Sequence, residues 1–244
     1  MMATAWQLPD PQLRQSVIAT NAAGLAAVAL VAWAARSPLH LSDDYLPRAS
    51  GLFAFIMLLV LGHVRAGHPF ARFGLANQMT AMRAAIVSLV AALIGEAIAP
   101  VAATAAAVAS AVVVALDGVD GWLARRTGMT SAFGARFDME VDALLVMALS
   151  VLAWQLGKAG SWIVLAGLLR YLFVAAGWML PFMHRALPAS RRRQAACVAQ
   201  IVGLSLVALP EVVPPVSAWL AASLLAMLGA SFLVDTLWLW QRRE

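Results

Sequence analysis

The sequence predicts an all-α integral membrane protein with several transmembrane helices. Three observations predict this fold class. Of the 244 residues, 63% are hydrophobic and only 12% are charged, whereas a soluble domain carries about 25% charged residues. The mean hydropathy is +0.83. Several continuous apolar runs approach the roughly 20 residues that a transmembrane helix needs, while a transmembrane barrel would show short alternating segments.

The apolar runs predict eight spans, near residues 16–35, 48–64, 79–98, 101–118, 138–156, 160–182, 194–210 and 216–240. The first residues, MMATAWQLPDPQLRQ, have no basic region followed by a short apolar stretch and a cleavage site, so we expect no cleavable signal peptide. Cys197 is the single cysteine, which excludes an intrachain disulfide and gives no support to a cysteine metal site.

Basic residues are distributed unequally between the two sets of loops. One set, with the adjoining helix ends, holds Arg14, Arg65, Arg72, Arg125, Arg126, Arg136, Arg185, Arg191, Arg192, Arg193, Arg242 and Arg243, and the opposite set holds Arg36, Arg48 and Lys158. Since cytoplasmic loops are enriched in Lys and Arg, we expect both termini on the cytoplasmic side, of the inner membrane if the protein is bacterial. The net charge of +5 therefore indicates membrane orientation and contact with lipid phosphates, and we expect no nucleic-acid partner.

Four aspartates cluster within residues 115–145, ALDGVDGWLARRTGMTSAFGARFDMEVDALL. Asp117 and Asp120 end the fourth span at a spacing of three, and Asp138 and Asp142 open the fifth span at a spacing of four. Each pair therefore lies on one helix face. Two antiparallel helices joined by a short loop would aim four carboxylates at one point on the cytoplasmic side.

Carboxylates crowded in this way repel one another, and acids at membrane depth are by default functional. Oxygen ligands without a histidine favour Mg²⁺ or a similar ion over zinc. A purely structural alternative pairs the acids with Arg125, Arg126 and Arg136, but it does not explain their spacing. Glu140 lies between Asp138 and Asp142 in sequence and points elsewhere.

The acids belong to a longer pattern, D-x2-D-G-x2-A-R-x8-G-x3-D-x3-D, which is met at every fixed position by Asp117, Asp120, Gly121, Ala124, Arg125, Gly134, Asp138 and Asp142. This pattern resembles the signature of the CDP-alcohol phosphotransferase family of phospholipid-synthesis enzymes. Upstream, NQMTAMR places Asn77, Thr80 and Arg83 in the N-x2-T-x2-R spacing that opens the first core helix of many members. The resemblance implies a catalytic domain at residues 70–244 with a core of six transmembrane helices. It also implies an extension at residues 1–69, which holds the two additional transmembrane helices ahead of that core.

The resemblance implies a transferase that moves a phosphatidyl group from CDP-diacylglycerol to a small polar alcohol and releases CMP. It implies two divalent ions, Mg²⁺ or else Mn²⁺, with the ligands Asp117, Asp120, Asp138 and Asp142. Asp142 would also be the general base for the acceptor hydroxyl. The implied contacts of the CDP moiety are Asn77, Thr80, Gly121, Ala124, Arg125 and Gly134. Homodimers are usual in the family.

Five arginines are candidates for contact with an acceptor phosphate or a lipid phosphate: Arg136, Arg170, Arg191, Arg192 and Arg193. Positive-inside marking explains the run of three arginines in LPASRRRQAACVAQ equally well. Arg170 lies within the sixth span, where pairing with an acid such as Asp235 is the alternative to a lipid phosphate.

Two other functions remain open. A CDP-headgroup donor, such as a CDP-aminoalcohol, would react with diacylglycerol by the same chemistry. An ion or lipid transporter would use the acids as ion ligands, but it would leave the glycine and Ala-Arg positions of the signature unexplained. Glu140 departs from the residues that are more usual between the last two signature acids, so we assign no subfamily and no particular alcohol.

Overall fold

The structure is a computed structural model that describes residues 8–185, 187–188 and 190–242, apart from the side chains of Asp120, Ala124 and His184. These residues form helices and no strands, as predicted. Eight α-helices occur at the eight predicted spans: α1 Pro11–Leu39, α2 Tyr45–His63, α3 Leu75–Ala91, α4 Pro100–Thr127, α5 Ala132–Gln155, α6 Val164–Met179, α7 Arg191–Ala208 and α8 Val216–Gln241. Two 3₁₀ turns, Ser161–Ile163 and Pro181–His184, flank α6.

Within the described residues, five helical segments are long and apolar enough to cross a membrane: α1, α2, α4, Ser161–Met179 and α8. In lipid the helix satisfies its own backbone hydrogen bonds, so these apolar runs have no other stable form. The remaining helices are shorter or charged, since α3 has 17 residues and α5 and α7 begin with the charged clusters singled out above. The chain is thus an all-α, multi-pass membrane protein, while the division into six core helices and two additional ones stays a prediction.

Residues 2–142 form one compact unit, in which α3 packs against α1, α2 and α4. Hydrogen bonds join the first two helices to both ends of α3. The Phe73 N–H donates to Ser16 Oγ at 3.2 Å, and the Tyr45 hydroxyl donates to the Leu89 carbonyl at 2.9 Å. The first two helices therefore stabilise the position of α3 directly, independently of any role in catalysis.

The loop between α3 and α4 contains a buried acid, Glu96. Its carboxylate accepts hydrogen bonds from the Ser42 N–H at 2.9 Å and the Ser42 hydroxyl at 2.7 Å, and it forms an ion pair with Arg48. Burial alone would raise the pKa of Glu96, but the hydrogen bonds from Ser42 and the charge of Arg48 outweigh it and hold that pKa below its ordinary value. This network fastens the start of α2 to the end of α3.

Residues 143–244 form the second unit, in which α8 packs against α7 and α6. A Cβ atom on Gly203 would lie 2.4 Å from a methyl carbon of Leu224. Glycine at this position therefore lets α7 and α8 approach closely, as small residues do between membrane helices.

Lys158 links two loops of the second unit. Its buried ammonium group donates to the carbonyls of Leu209, Pro210 and Val212 at 2.8, 3.2 and 2.8 Å. All three donors of the ammonium are thereby used on carbonyls just past the end of α7. The sequence identifies Lys158 only as a charge in a loop, whereas in the structure it is a packing residue.

Candidate active site

The last turns of α4, a short loop and the first turns of α5 form a helical hairpin. α4 ends at Thr127 and is followed by Gly128, whose φ of +65° is a left-handed conformation that favours glycine. α5 begins after Ser131, whose Oγ accepts a hydrogen bond from the Gly134 N–H at 2.9 Å. This is the geometry of a serine N-cap, so local sequence signals set both ends of the hairpin.

His68 holds the loop before α3 against the start of α5. Its buried ring lies between Phe70 and Phe133, with ring centroids 5.3 and 6.1 Å away. Nδ1 lies 3.2 Å from Ser131 Oγ and Nε2 lies 2.8 Å from the Arg72 carbonyl oxygen. No sequence motif pointed to this histidine, because both contacts are with residues that are unremarkable in sequence.

Three of the four predicted metal-ligand aspartates converge. One carboxylate oxygen from each of Asp117, Asp138 and Asp142 lies within 4.8 Å of the other two. Their side chains are 33, 34 and 18% exposed, so the group is reachable from one side. The fourth, Asp120, has its backbone in α4, and its side chain lies outside the described part. Glu140 is not a member of the group of three, as its helix position predicts.

A buried arginine pairs with these acids. Arg83, on α3, has a side chain with no exposed surface, and its Nη1 lies 2.8 Å from Asp117 Oδ1. Nη1 also pairs with Asp138, and Nη2 pairs with Asp142. Among the contacts that the structure describes, the cation that pairs with these acids is thus Arg83 of α3.

Arg83 belongs to the N-x2-T-x2-R segment, but the sequence indicates no role for it. The spacing of three residues places Asn77, Thr80 and Arg83 along neighbouring turns of α3, and all three are buried. Asn77 Nδ2 donates to the Phe73 carbonyl at 2.6 Å, and Thr80 Oγ1 donates to the Ala76 carbonyl at 3.2 Å. The signal that could have identified Arg83 is this shared spacing with two predicted ligand-binding residues.

Gly134 lies beside Asn77, because a Cβ atom on Gly134 would stand 2.8 Å from Asn77 Oδ1. Gly121, on α4, has looser surroundings, since its Cβ would meet only the guanidinium of Arg125, at 3.2 Å. Arg125 itself is exposed. The side chain of Ala124 lies outside the described part. The predicted CDP contacts therefore include one tightly packed pair, Asn77 with Gly134, and an exposed guanidinium on α4, that of Arg125.

The five candidate phosphate-binding arginines have different surroundings. Arg136 is exposed on α5, in the first unit. Arg170 is half-buried on α6, and Arg191 is exposed at the start of α7.

Arg192 and Arg193 pair with Asp235, an acid of α8 that is 5% exposed. Arg192 Nη1 also donates to the carbonyl and the hydroxyl of Ser231, at 2.6 and 2.7 Å. These contacts join α7 to α8 within the second unit. Arg192 therefore has a packing role in addition to any contact with a phosphate.

The fold and the site together define a class, a multi-pass α-helical membrane protein with an acidic cluster of the kind that binds divalent cations. The family model for CDP-alcohol phosphatidyltransferase matches residues 73–233, which is more than half of the chain, and the chain belongs to that family. Every predicted site residue lies within the matched segment, and α1 and α2 precede it. No curated protein and no solved structure matches the chain.

Membership in this family implies a class of reaction. These enzymes are transferases of substituted phosphate groups in phospholipid synthesis, which move a phosphatidyl or phospho-alcohol group from a CDP-linked donor. The family uses divalent metals. The converging carboxylates of Asp117, Asp138 and Asp142 fit such ions, because they offer hard oxygen ligands at short mutual distances.

Proposed function

We propose that this protein transfers a phosphatidyl group from CDP-diacylglycerol to a small polar alcohol and releases CMP. The observation that carries the proposal is that Asp117, Asp138 and Asp142 converge. These three aspartates belong to the complete signature pattern, which lies within the segment that the family model matches. An ion or lipid transporter would not require the Asn77–Gly134 contact or the Ala-Arg pair of the signature.

The metal ligands would be Asp117, Asp120, Asp138 and Asp142, and the ions Mg²⁺ or Mn²⁺. When bound, two such ions would neutralise charge on the donor diphosphate and on the departing CMP. Asp117, Asp138 and Asp142 surround one guanidinium group and remain partly exposed, and such a concentration of carboxylate oxygens suits divalent cations.

The donor would be held by residues of α3, α4 and α5. Asn77 and Thr80 on α3, with Gly134 on α5, would form a close-fitting pocket for the cytidine, and glycine at position 134 lets α5 approach Asn77 closely enough for this. Gly121 and Ala124 would line the neighbouring surface of α4. Arg125 is exposed and charged, so it suits contact with a phosphate oxygen.

Asp142 would act as general base. In the proposed step the acceptor hydroxyl oxygen attacks the phosphorus of the phosphatidyl group, and the bond from that phosphorus to the CMP oxygen breaks. The hydroxyl proton passes to a carboxylate oxygen of Asp142, and CMP leaves with the electron pair of the broken bond. Positioning and charge neutralisation account for most of the catalysis of phosphoryl transfer, so no covalent enzyme intermediate is needed.

An acceptor phosphate or a lipid phosphate would be contacted by one or more of the candidate arginines. Arg136 and Arg191 are exposed and suit this role best. Arg192 and Arg193 would contribute while paired with Asp235, and Arg170 would act from within α6.

We further propose that both termini and the active site face the cytoplasm and that the protein is a homodimer.

Purified protein in nanodiscs, given CDP-diacylglycerol, Mg²⁺ and a panel of radiolabelled alcohols, tests the reaction. We expect CMP release that depends on one alcohol and stops when divalent ions are completely chelated. Release from a CDP-aminoalcohol with diacylglycerol would instead support the alternative donor. No turnover of any CDP compound would overturn the proposal and favour a transporter.

Sidedness and assembly need separate measurements. After Cys197→Ser, single cysteines introduced as Thr127→Cys and Asp43→Cys would be labelled with a membrane-impermeant maleimide. We expect labelling of Asp43→Cys in intact cells and of Thr127→Cys only after permeabilisation. Mass measurement in nanodiscs distinguishes a homodimer from a monomer.

A further inference from the structure

One guanidinium group serves three carboxylates in the candidate active site. Arg83 Nη1 contacts Asp117 and Asp138, and Nη2 contacts Asp142. The two contacted carboxylates of α5 are four residues apart on one helix face, and the arginine comes from α3. The arginine thereby ties three helices together at the site.

Arg83 cannot touch a substrate, because its side chain has no exposed surface. Each of the three acids, by contrast, is partly exposed. Any effect of Arg83 on the reaction must therefore pass through the carboxylates, which makes it a positioning residue.

Electrostatic repulsion between the carboxylates explains why the Arg83 guanidinium lies among them. Three carboxylates within 4.8 Å of one another repel strongly in a partly buried site. Arginine stays protonated in proteins, so its charge is present at every working pH. The two Nη atoms of its planar guanidinium contact different carboxylates in a fixed geometry. Lysine, with a single point charge, does not reproduce this arrangement.

We propose that Arg83 is the permanent internal counter-ion of the acid cluster, which holds the carboxylates of Asp138 and Asp142 in place independently of any bound ion. The proposal rests on the proposed function only in treating the cluster as a metal site. It follows that Arg83 and a divalent cation neutralise the same carboxylates, and that loss of Arg83 makes the fold depend on the cation.

The test is thermal unfolding of detergent-solubilised protein, followed by tryptophan fluorescence, in EDTA and in Mn²⁺. In EDTA we expect Arg83→Gln to unfold about 10 °C below the wild type, because a buried ion-pair partner is lost. We expect Mn²⁺ to raise the midpoint of Arg83→Gln by clearly more than it raises that of the wild type. If Mn²⁺ raises the midpoint of the wild type but raises that of Arg83→Gln by an equal or smaller amount, the proposal is overturned.

Arg48→Gln is the matched control, because Arg48 also pairs with a buried acid in the same unit but far from the aspartates in sequence. We expect Arg48→Gln to lower the midpoint equally in EDTA and in Mn²⁺. A Mn²⁺-dependent recovery in this control would mean that the ion acts on stability in general, and the proposal would fail.

The double variant Arg83→Gln/Asp142→Asn covers the case in which Arg83→Gln alone does not fold. Removing one acid relieves the repulsion, so we expect the double variant to be more stable in EDTA than Arg83→Gln. If it is no more stable, the counter-ion role is wrong. Should Mn²⁺ stabilise none of the proteins, wild type included, the proposed metal site fails, and the comparison in EDTA still decides the role of Arg83.

Discussion

The side-chain oxygen of Asn77 lies 2.8 Å from the point that a Cβ atom on Gly134 would occupy. Asn77 has little freedom to move away, since it is buried and its Nδ2 donates to the Phe73 carbonyl. α3 and the start of α5 are therefore in close contact where we propose that the cytidine binds.

Gly134→Ala should weaken donor binding, because the new methyl group displaces Asn77 and crowds Ser131 Oγ, 3.1 Å away. We expect KM for the CDP substrate to rise about tenfold, as for overpacking that costs roughly 1–3 kcal/mol. Gly118→Ala is the control, because a Cβ there meets nothing within 4 Å. Equal KM values for the two variants would contradict the proposed pocket.

Asp138→Asn should abolish turnover and weaken binding of the CDP substrate, because a proposed metal ligand is lost. We expect kcat to fall at least about a hundredfold. Glu140→Gln should be much milder, since Glu140 is outside the group of three converging acids. The two variants are compared by CMP release at saturating Mg²⁺, and similar losses would show that the ligand assignment on α5 is wrong.

Arg192→Gln should destabilise the protein, because it leaves the buried Asp235 with a weaker partner. The expected cost is about 2 kcal/mol, less than for a fully buried pair because the Arg192 side chain is 38% exposed. Arg191→Gln should leave the unfolding midpoint unchanged and raise KM for a phosphate-bearing acceptor. Recovery of stability in Arg192→Gln/Asp235→Asn would confirm the packing role, and its absence would argue against it.

Glu96 should stabilise the protein at neutral pH and lose this effect in acid. Its pKa in the folded protein is held below the ordinary 4.5 by Ser42 and Arg48, so the stability is fully present above that value and is lost as pH falls through the lower, folded-state pKa. The unfolding midpoint of the wild type minus that of Glu96→Gln should be largest at neutral pH and shrink below about pH 4. A difference that does not change with pH would contradict the ionised network.

A chain that starts at residue 66 keeps all the proposed site residues, and we expect it to release CMP. Removal of two spans conserves the orientation of the rest, with Arg72 as the remaining positive marker ahead of α3. Its thermal stability should fall, because the bonds of Ser16 to Phe73 and of Tyr45 to Leu89 are lost. The truncated chain is inserted cell-free into nanodiscs, its activity is measured by CMP release, and its stability is measured by thermal unfolding. A folded but inactive product would show that α1 and α2 help to build the site.

The sequence by itself determined the helices and the convergence of the acids. Apolar runs in lipid can satisfy their backbones only as helices, so composition and run length predicted a helix at each run. Among the described residues, five of these segments are long and apolar enough to cross a membrane. The spacing of Asp138 and Asp142 placed both on one helix face, because the helical period is a local property of the chain. The structure adds that Gly128 and Ser131 set the ends of the hairpin, through local conformational preferences that the sequence patterns above did not use.

Only the tertiary structure decided which cation meets which acid. Arg83 pairs with Asp138 across 55 residues of sequence, while the nearer Arg125 and Arg136 are exposed. Arg192 likewise pairs with Asp235 across 43 residues. Helical periodicity places a side chain on a face of its own helix but leaves open which other helix packs against that face. Charge partners are set by that packing, and so they appear only when the helices are assembled.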